Sequence, residues 1–212
     1  MRHSRVSLAA VCSLIALAPP VLAACGPARN EASAATQTPM SGMTSTATAP
    51  PAPQATAQAV ILAQFARYGS GVRAITYDPA RVPVGSDVAV ASVVTSGQTL
   101  TLLAVRGLPP NQQFGAHVHM NACGQDPEAA GSHYQHQVDP KQPSVDPAYA
   151  NPRNEIWLDF TTDAAGSAHA VSTVDWTFDN RPHRSLVIHA EHTHTGPGEA
   201  GKAGDRLACV DL

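Results

Sequence analysis

Alternating apolar and polar side chains mark two adjacent segments in the first half of the chain. Residues 86–95 and 98–106 both alternate, and Ser96-Gly97 between them is a typical turn sequence. Successive side chains of a strand point to opposite faces, so each segment is predicted to be a strand with one buried face. We therefore expect the two strands to form a β-hairpin.

Six further segments show the alternation or the β-branched residues that are typical of strands. They are residues 71–77, 113–120, 155–162, 167–174, 184–189 and 206–210. Residues 58–68 fit either a helical turn or an additional strand. The pattern predicts an all-β protein, an eight-stranded Greek-key β-barrel or immunoglobulin-like sandwich. Two long connections, 121–153 and 190–205, are predicted to be functional loops, since loops of this length are usually functional or disordered.

The first 25 residues predict a lipoprotein signal peptide. The start is basic, residues 6–18 are apolar but too short to span a membrane as a helix, and Leu22-Ala-Ala-Cys25 matches a bacterial lipobox. We expect Cys25 to be acylated and to anchor an extracytoplasmic protein to the cell membrane. The alternative is an ordinary signal peptide that is cleaved at an Ala-x-Ala site.

The segment that follows is rich in Ala, Thr, Pro, Ser and Gln. Residues 26–57 contain almost no large apolar side chains, so they cannot bury enough surface to offset the entropy of ordering. We predict a disordered tether here. Residues 58–212 then form the folded domain.

Charge and cysteine content narrow the function. Only 14% of the residues are charged and the formal net charge is -3, which argues against a nucleic-acid partner because such a partner needs a basic surface. Cys12 leaves with the signal peptide and Cys25 is acylated, so Cys123 and Cys209 remain in an exported domain. They are either joined, as is usual outside the cytoplasm, or two free thiols.

Two histidines occupy one predicted strand. His117 and His119 are two positions apart, so their side chains lie on the same face. Neutral imidazoles of this kind bind copper, zinc or nickel. The alternative is that they merely cover a polar surface.

Four short motifs carry a resemblance to a known family. They are Phe114-Gly-Ala-His-Val-His119, Ala130-Gly-Ser-His133, Leu186-Val-Ile-His189 and Gly204-Asp-Arg-Leu-Ala-Cys209. In order and spacing they resemble the copper-zinc superoxide dismutase family, in its secreted bacterial branch, over roughly residues 72–212.

The resemblance implies an activity and a set of site residues. Copper would be the cofactor, and superoxide would be the substrate that is converted to oxygen and hydrogen peroxide. The implied copper ligands are His117, His119, His133 and His189. Arg206 would stand over the open coordination position, His133 would also act in catalysis, and Cys123 would pair with Cys209.

The chain departs from the family at the zinc site. Where the family has a His-x-x-Asp segment, this sequence has Asn154-Glu-Ile-Trp157, which leaves only His136 and Asp139 as nearby donors. A zinc site normally has four donors, so we expect a copper-only protein, although His133, His136 and a carboxylate would still supply three. Without zinc, the second nitrogen of His133 needs another partner, for which Glu155 and Asp159 are the candidates.

Besides His3 and His136, four further histidines lie outside the implied ligand set. His192 and His194 belong to a loop that is shorter than in the family, and they are either solvated or an auxiliary copper-capture site. His169 and His183 are predicted to be surface residues.

Three functions stay open at the level of sequence. The domain is either a superoxide dismutase or a copper-binding or copper-storage lipoprotein, and a metal-free adhesion module is a third alternative. Nothing in the sequence indicates whether the chain dimerises.

Overall fold

A computed structural model describes residues 56–212. The predicted signal peptide, the predicted lipidation site Cys25 and residues 26–55 of the predicted tether lie outside the described residues. Between residues 56 and 212, no helix is long and apolar enough to cross a membrane.

Nine strands and one short 3₁₀ helix make up the regular structure of the described residues. The strands are β1 (Thr56–Gln64), β2 (Ala74–Thr76), β3 (Asp87–Thr95), β4 (Gln98–Arg106), β5 (Gln113–His119), β6 (Phe160–Thr161), β7 (Ala168–Val174), β8 (Ser185–His189) and β9 (Arg206–Asp211). The 3₁₀ helix is Pro127–Ala130.

The strands form two antiparallel sheets, which confirms the predicted all-β fold. One sheet has the order β1-β3-β4-β7 and the other has the order β2-β9-β8-β5-β6. All eight predicted strands are present. The undecided segment 58–68 contributes a ninth, because β1 pairs with β3 from Thr56 to Gln64.

The predicted hairpin is confirmed. β3 and β4 pair in register from Asp87 opposite Arg106 to Thr95 opposite Gln98. Ser96 and Gly97 both have positive φ, 48° and 89°. A two-residue turn with positive φ at both positions matches the twist of paired strands, which is why the Ser-Gly sequence closes this hairpin.

The prediction of a long strand at 155–162 is wrong in extent, since β6 has only two residues. Ile156, Leu158 and Phe160 do alternate into the core, which explains the strand-like pattern. However, residues 155–159 join β5 only through the isolated bridge between Trp157 and His117, with backbone bonds from Leu158 N to Ala116 O at 2.8 Å and from Val118 N to Ile156 O at 3.4 Å. β6 and β7 also belong to different sheets, so the chain crosses over between them.

The hydrophobic core lies between the sheets. The four-stranded sheet contributes Ile61, Val88, Val90, Leu103 and Val105, and the five-stranded sheet contributes Phe114, Ala116, Val118, Leu186, Ile188 and Val210. The opposite face of the five-stranded sheet is buried as well, and it carries His117, His119, His189 and Cys209. The long connections cover this second face and enclose the histidines.

A disulfide joins the first long connection to the sheet. Cys123 and Cys209 are bonded, with their Cα atoms 5.7 Å apart, as the family resemblance implied. The backbone N–H of Cys123 also donates to Asp211 at 2.8 Å. The segment leading to His133 is therefore fixed to β9, the strand that begins with Arg206.

Candidate metal centre

Four histidines converge on the outer face of the five-stranded sheet. His117 and His119 belong to β5, His189 ends β8, and His133 lies in the connection after β5. One ring nitrogen of each lies within 4.8 Å of the others. His117, His119 and His189 are buried, whereas the His133 side chain is 17% exposed. The structure thus brings together the four residues that the sequence motifs indicated.

Strand register explains how β5 and β8 present their histidines. Gly115 of β5 lies opposite His189 of β8, and the pairing continues along the two strands past His117. A Cβ atom at Gly115 would lie 2.6 Å from the Glu191 carbonyl oxygen and 2.8 Å from Ala203 Cβ. Only glycine therefore allows the 190–205 connection to close over the sheet at this point.

Three of the histidines are oriented through the same ring atom. Nδ1 of His119 bonds the Gly131 carbonyl at 3.0 Å, Nδ1 of His189 bonds the Gly204 carbonyl at 3.3 Å, and Nδ1 of His133 bonds Glu155 Oε2 at 2.8 Å. Since a carbonyl accepts, Nδ1 of His119 and of His189 carries the proton, and Nε2 is left with a lone pair. Those two Nε2 atoms lie 3.4 Å apart, and a cation would offset the repulsion of their lone pairs.

His117 is oriented through the opposite nitrogen. Its Nε2 lies 2.7 Å from Thr193 Oγ1, and that hydroxyl donates to Asp159 Oδ1 at 2.6 Å. Because the hydroxyl proton points to the carboxylate, Nε2–H of His117 is the donor, and Nδ1 bears the lone pair. This Nδ1 atom is buried and has no hydrogen-bond partner. A buried polar atom without a partner is costly, so the site fits a metal ion here.

Burial keeps the clustered imidazoles neutral. Burial lowers the pKa of His117 and His119 well below the usual value for imidazole and lowers that of His189 to about 3. A positive charge on His133 would lower all three pKa values further. The three rings are therefore uncharged at neutral pH, which is the form that binds metal ions.

Glu155 is the partner of His133. The residue is buried, and both of its carboxylate oxygens are in use. Oε2 accepts from Trp157 Nε1 at 2.7 Å as well as bonding His133, and Oε1 accepts from Gln135 Nε2 at 2.8 Å. Of the two acidic residues that the sequence suggested for this role, Glu155 occupies the position.

The other candidate, Asp159, does not serve His133. Its two oxygens accept from the backbone N–H and the hydroxyl of Thr193, at 2.7 Å and 2.6 Å. Asp159 acts instead on His117, through Thr193.

Arg206 lies at the open side of the histidine cluster. Its Nη1 donates to the Pro127 carbonyl at 3.1 Å, and its Nη2 donates to the Gly131 carbonyl at 2.8 Å. The guanidinium and the rings of His133 and His189 line one cavity of about 530 Å³. The Gly131 carbonyl, which also bonds His119, thus couples the position of Arg206 to that of a ring in the cluster.

The remaining donors that the sequence suggested for zinc do not join the cluster. His136 is exposed and stacks on Trp176, with ring centroids 5.1 Å apart. Asp139 is buried, but its carboxylate accepts from Ser144 Oγ and Lys141 N, both at 2.8 Å. Both side chains have other structural partners. Within residues 56–212, the four histidines are the only group of this kind close enough to share an ion.

His192 and His194 also stay outside the cluster. His192 Nε2 bonds the Phe160 carbonyl at 3.0 Å. His194 lies between the carboxylates of Glu191 and Glu199, at 3.3 Å and 3.4 Å, and is exposed to solvent. The structure therefore does not bring the two rings together as an auxiliary site.

The two histidines predicted to be surface residues differ from each other. His169 is exposed, as predicted. His183 is partly buried, because its ring stacks on Phe178 with centroids 3.8 Å apart. His183 is therefore only partly exposed.

Several residues of the site carried no signal that the sequence pattern could reveal. The carbonyls of Gly131 and Gly204 act through backbone atoms, which every residue has. Thr193 lies between His192 and His194 and belongs to no recognised motif, and neither do Gln135 and Trp157. The hydrogen bonds of Glu155 identify Gln135 and Trp157, and those of Asp159 identify Thr193.

A two-sheet sandwich on which four imidazoles converge, three of them buried, defines a metal-binding protein. The family model described as copper/zinc superoxide dismutase matches residues 87–211, which is more than half of the chain. The chain therefore belongs to the copper/zinc superoxide dismutase family. No curated protein matches the sequence.

Solved structures that match the chain include a superoxide dismutase, a SOD-like protein and a clock protein. The Cu/Zn superoxide dismutase from Brucella abortus is 19% identical, with 75% of this chain and 99% of that chain covered and a TM-score of 0.49. A double mutant of a SOD-like protein from Bacillus subtilis is 17% identical, covering 60% and 90%, with a TM-score of 0.46. The clock protein EA4 is 20% identical, covering 59% and 85%, with a TM-score of 0.45.

Proposed function

We propose that this protein is a copper-dependent superoxide dismutase that acts outside the cytoplasm. The observation that carries the proposal is the convergence of four imidazole nitrogens next to a cavity that His133, His189 and Arg206 line together. Membership of the copper/zinc superoxide dismutase family supports the same conclusion.

The proposed copper ligands are the Nδ1 atom of His117 and the Nε2 atoms of His119, His133 and His189. The unpartnered Nδ1 of His117 and the facing Nε2 atoms of His119 and His189 support this assignment. Four neutral imidazoles suit copper in both of its common oxidation states. Copper held here would supply an electron-transfer centre, which takes an electron from one superoxide and gives it to another.

Arg206 would bind the anionic substrate. A guanidinium stays positively charged at every relevant pH, and it presents several N–H donors in a fixed plane. Two backbone carbonyls, of Pro127 and Gly131, hold the Arg206 group at the cavity. Because a positive group in a cleft raises the local concentration of anions, Arg206 would speed the arrival of superoxide.

We propose that the protein works without zinc. Glu155 bonds the Nδ1 atom of His133 at 2.8 Å, so the ring nitrogen that does not face copper already has an anionic partner. The carboxylate would keep the proton on Nδ1 and direct Nε2 toward copper, which is how partners of ligand histidines commonly act. Trp157 and Gln135 hold the carboxylate in place.

The proposed location outside the cytoplasm rests on two features. The Cys123–Cys209 disulfide is typical of proteins in oxidising compartments. The lipobox at residues 22–25 supports attachment to the membrane through a lipid on Cys25, with residues 26–55 as the tether.

Metal analysis of the purified chain, beside a superoxide assay with and without added zinc, tests the proposal. We expect one copper and no zinc per chain, with activity that added zinc leaves unchanged. Several copper ions per chain without superoxide turnover would indicate copper storage instead. A chain that binds no copper would contradict both functions.

A further inference from the structure

Arg206 has a carboxylate partner at the mouth of the cavity. Oε2 of Glu128 lies 3.2 Å from Nη2 of Arg206, the same nitrogen that donates to the Gly131 carbonyl. The Glu128 side chain is 74% exposed, whereas that of Arg206 is 16% exposed. Both residues line the cavity of about 530 Å³ with His133 and His189. The guanidinium that faces the metal site is thus in contact with a negative charge on its solvent side.

The backbone of Glu128 is fixed. The residue belongs to the 3₁₀ helix Pro127–Ala130, its N–H donates to Asp126 Oδ1 at 2.9 Å, and its carbonyl accepts from Gly131 N at 3.0 Å. The Cys123–Cys209 disulfide attaches this connection to β9. Because the main chain is held on both sides of Glu128, the residue can leave Arg206 only by rotating its side chain.

The two kinds of partner of Arg206 act differently. The Pro127 and Gly131 carbonyls are uncharged and hold the guanidinium without cancelling its charge. The Glu128 carboxylate does cancel part of that charge, and it uses N–H donors that a bound anion would need. An exposed ion pair is weak, so a small anion can displace this carboxylate.

We propose that Glu128 determines anion specificity by competing with anions for Arg206. With superoxide as the substrate, which rests on the proposed function, Glu128 would weaken the binding of other anions from the medium. A carboxylate repels a doubly charged anion more strongly than a singly charged one. Glu128 would therefore act most strongly against anions such as phosphate and would leave the site to small monoanions.

Phosphate binding measures this competition directly. The Nε–H resonance of Arg206 is followed by NMR while inorganic phosphate is added to the full chain, both metal-free and loaded with diamagnetic copper(I). Replacing Glu128 by Gln keeps the shape and removes the charge. We expect Glu128→Gln to lower the phosphate dissociation constant about fivefold, the size of effect that an exposed ion pair supports.

Two further variants separate contact from overall charge. Glu128→Asp keeps the charge but withdraws the carboxylate by one methylene, so it should also tighten phosphate binding, by less than Glu128→Gln. Glu199→Gln removes a charge from an exposed residue outside the cavity and should leave the dissociation constant unchanged. Unfolding temperature and copper content establish that each variant is intact.

Equal phosphate affinity in wild type and Glu128→Gln would overturn the proposal. An equal gain in Glu128→Gln and Glu199→Gln would overturn it too, since overall charge would then explain the effect. Superoxide turnover of the same proteins is measured separately. Absent turnover with a selective phosphate effect would reject the proposed function but leave the competition at Arg206 supported.

Discussion

His117 differs from the other three histidines in the nitrogen that it leaves free. Thr193 accepts from its Nε2, and Asp159 fixes the direction of the Thr193 hydroxyl. The Nδ1 atom of His117 is buried without a hydrogen-bond partner. The tautomer of His117 is therefore set by the Asp159 carboxylate. This carboxylate acts through the Thr193 hydroxyl and does not bond the imidazole itself.

Replacing Thr193 by Val tests this relay. Valine has the shape of threonine but accepts no hydrogen bond, so the buried Nε2–H of His117 would lose its partner. We expect copper affinity to fall about 10-fold to 100-fold, the usual effect of removing the partner of a ligand histidine. Competition with a chelator of known affinity measures the change. Thr193→Ser retains the hydroxyl and should bind copper as the wild type does; loss of affinity in Thr193→Ser would contradict the relay.

Arg206 is the second residue with a specific expected effect. Arg206→Ala should leave copper bound and lower the rate constant for superoxide by about one to two orders of magnitude at low ionic strength, because the steering charge is lost. The ionic-strength dependence should also become weaker. Arg106→Ala is the matched control, since Arg106 ends β4 in the other sheet. Unchanged activity of Arg206→Ala would remove Arg206 from the mechanism.

Single residues were predictable from sequence only where a motif marked them. The four histidines and Arg206 lie in short motifs, and the structure brings them together. Glu155 and Asp159 were equal candidates for His133, because the alternating pattern around them does not show which carboxylate lies beside the imidazole. The backbone carbonyls that orient His119 and His189 have no sequence signature at all.

At the level of elements, the site depends on a disulfide between β9 and the connection after β5. Cys123 and Cys209 are 86 positions apart. The bond fixes the connection that carries His133, and also the strand that carries Arg206. One covalent bond thus fixes the proposed metal ligand His133 and the proposed anion-binding group Arg206 relative to each other.

Removing this link should cost stability and order at the site. Replacing both Cys123 and Cys209 by Ser should lower the free energy of unfolding by about 4–5 kcal/mol, because the unfolded chain loses a cross-link that closes a long loop. Denaturant titration measures the loss. Wild-type protein reduced with dithiothreitol is the control and should show the same decrease. A difference below about 1 kcal/mol would contradict the expected role of the bond.

Elements were predictable where pairing follows from a local pattern. Alternation and the Ser96-Gly97 turn specify the β3–β4 hairpin, whose contacts are close in sequence. β1 remained undecided because its partner, β3, lies more than twenty residues away. Residues 155–159 alternate like a strand, but the buried hydrogen bonds of Glu155 hold them against the site instead.

In residues 56–212, the two faces of the five-stranded sheet have different roles. One face of the five-stranded sheet packs against the four-stranded sheet to form the core, and the other carries the histidine cluster beneath the long connections. Strand alternation predicts this division of side chains. The cover of the second face depends on long-range contacts of the loops, which no local pattern specifies.

We propose that one copper ion, bound by the four histidines, makes the chain a superoxide dismutase. The most direct test is the rate of superoxide decay, followed by pulse radiolysis while copper is added in steps to the metal-free chain. The rate should rise linearly and stop rising at one copper per chain, and His119→Ala should show no such break. A rate no higher than that of free copper, or one that keeps rising beyond one equivalent, would contradict the claim.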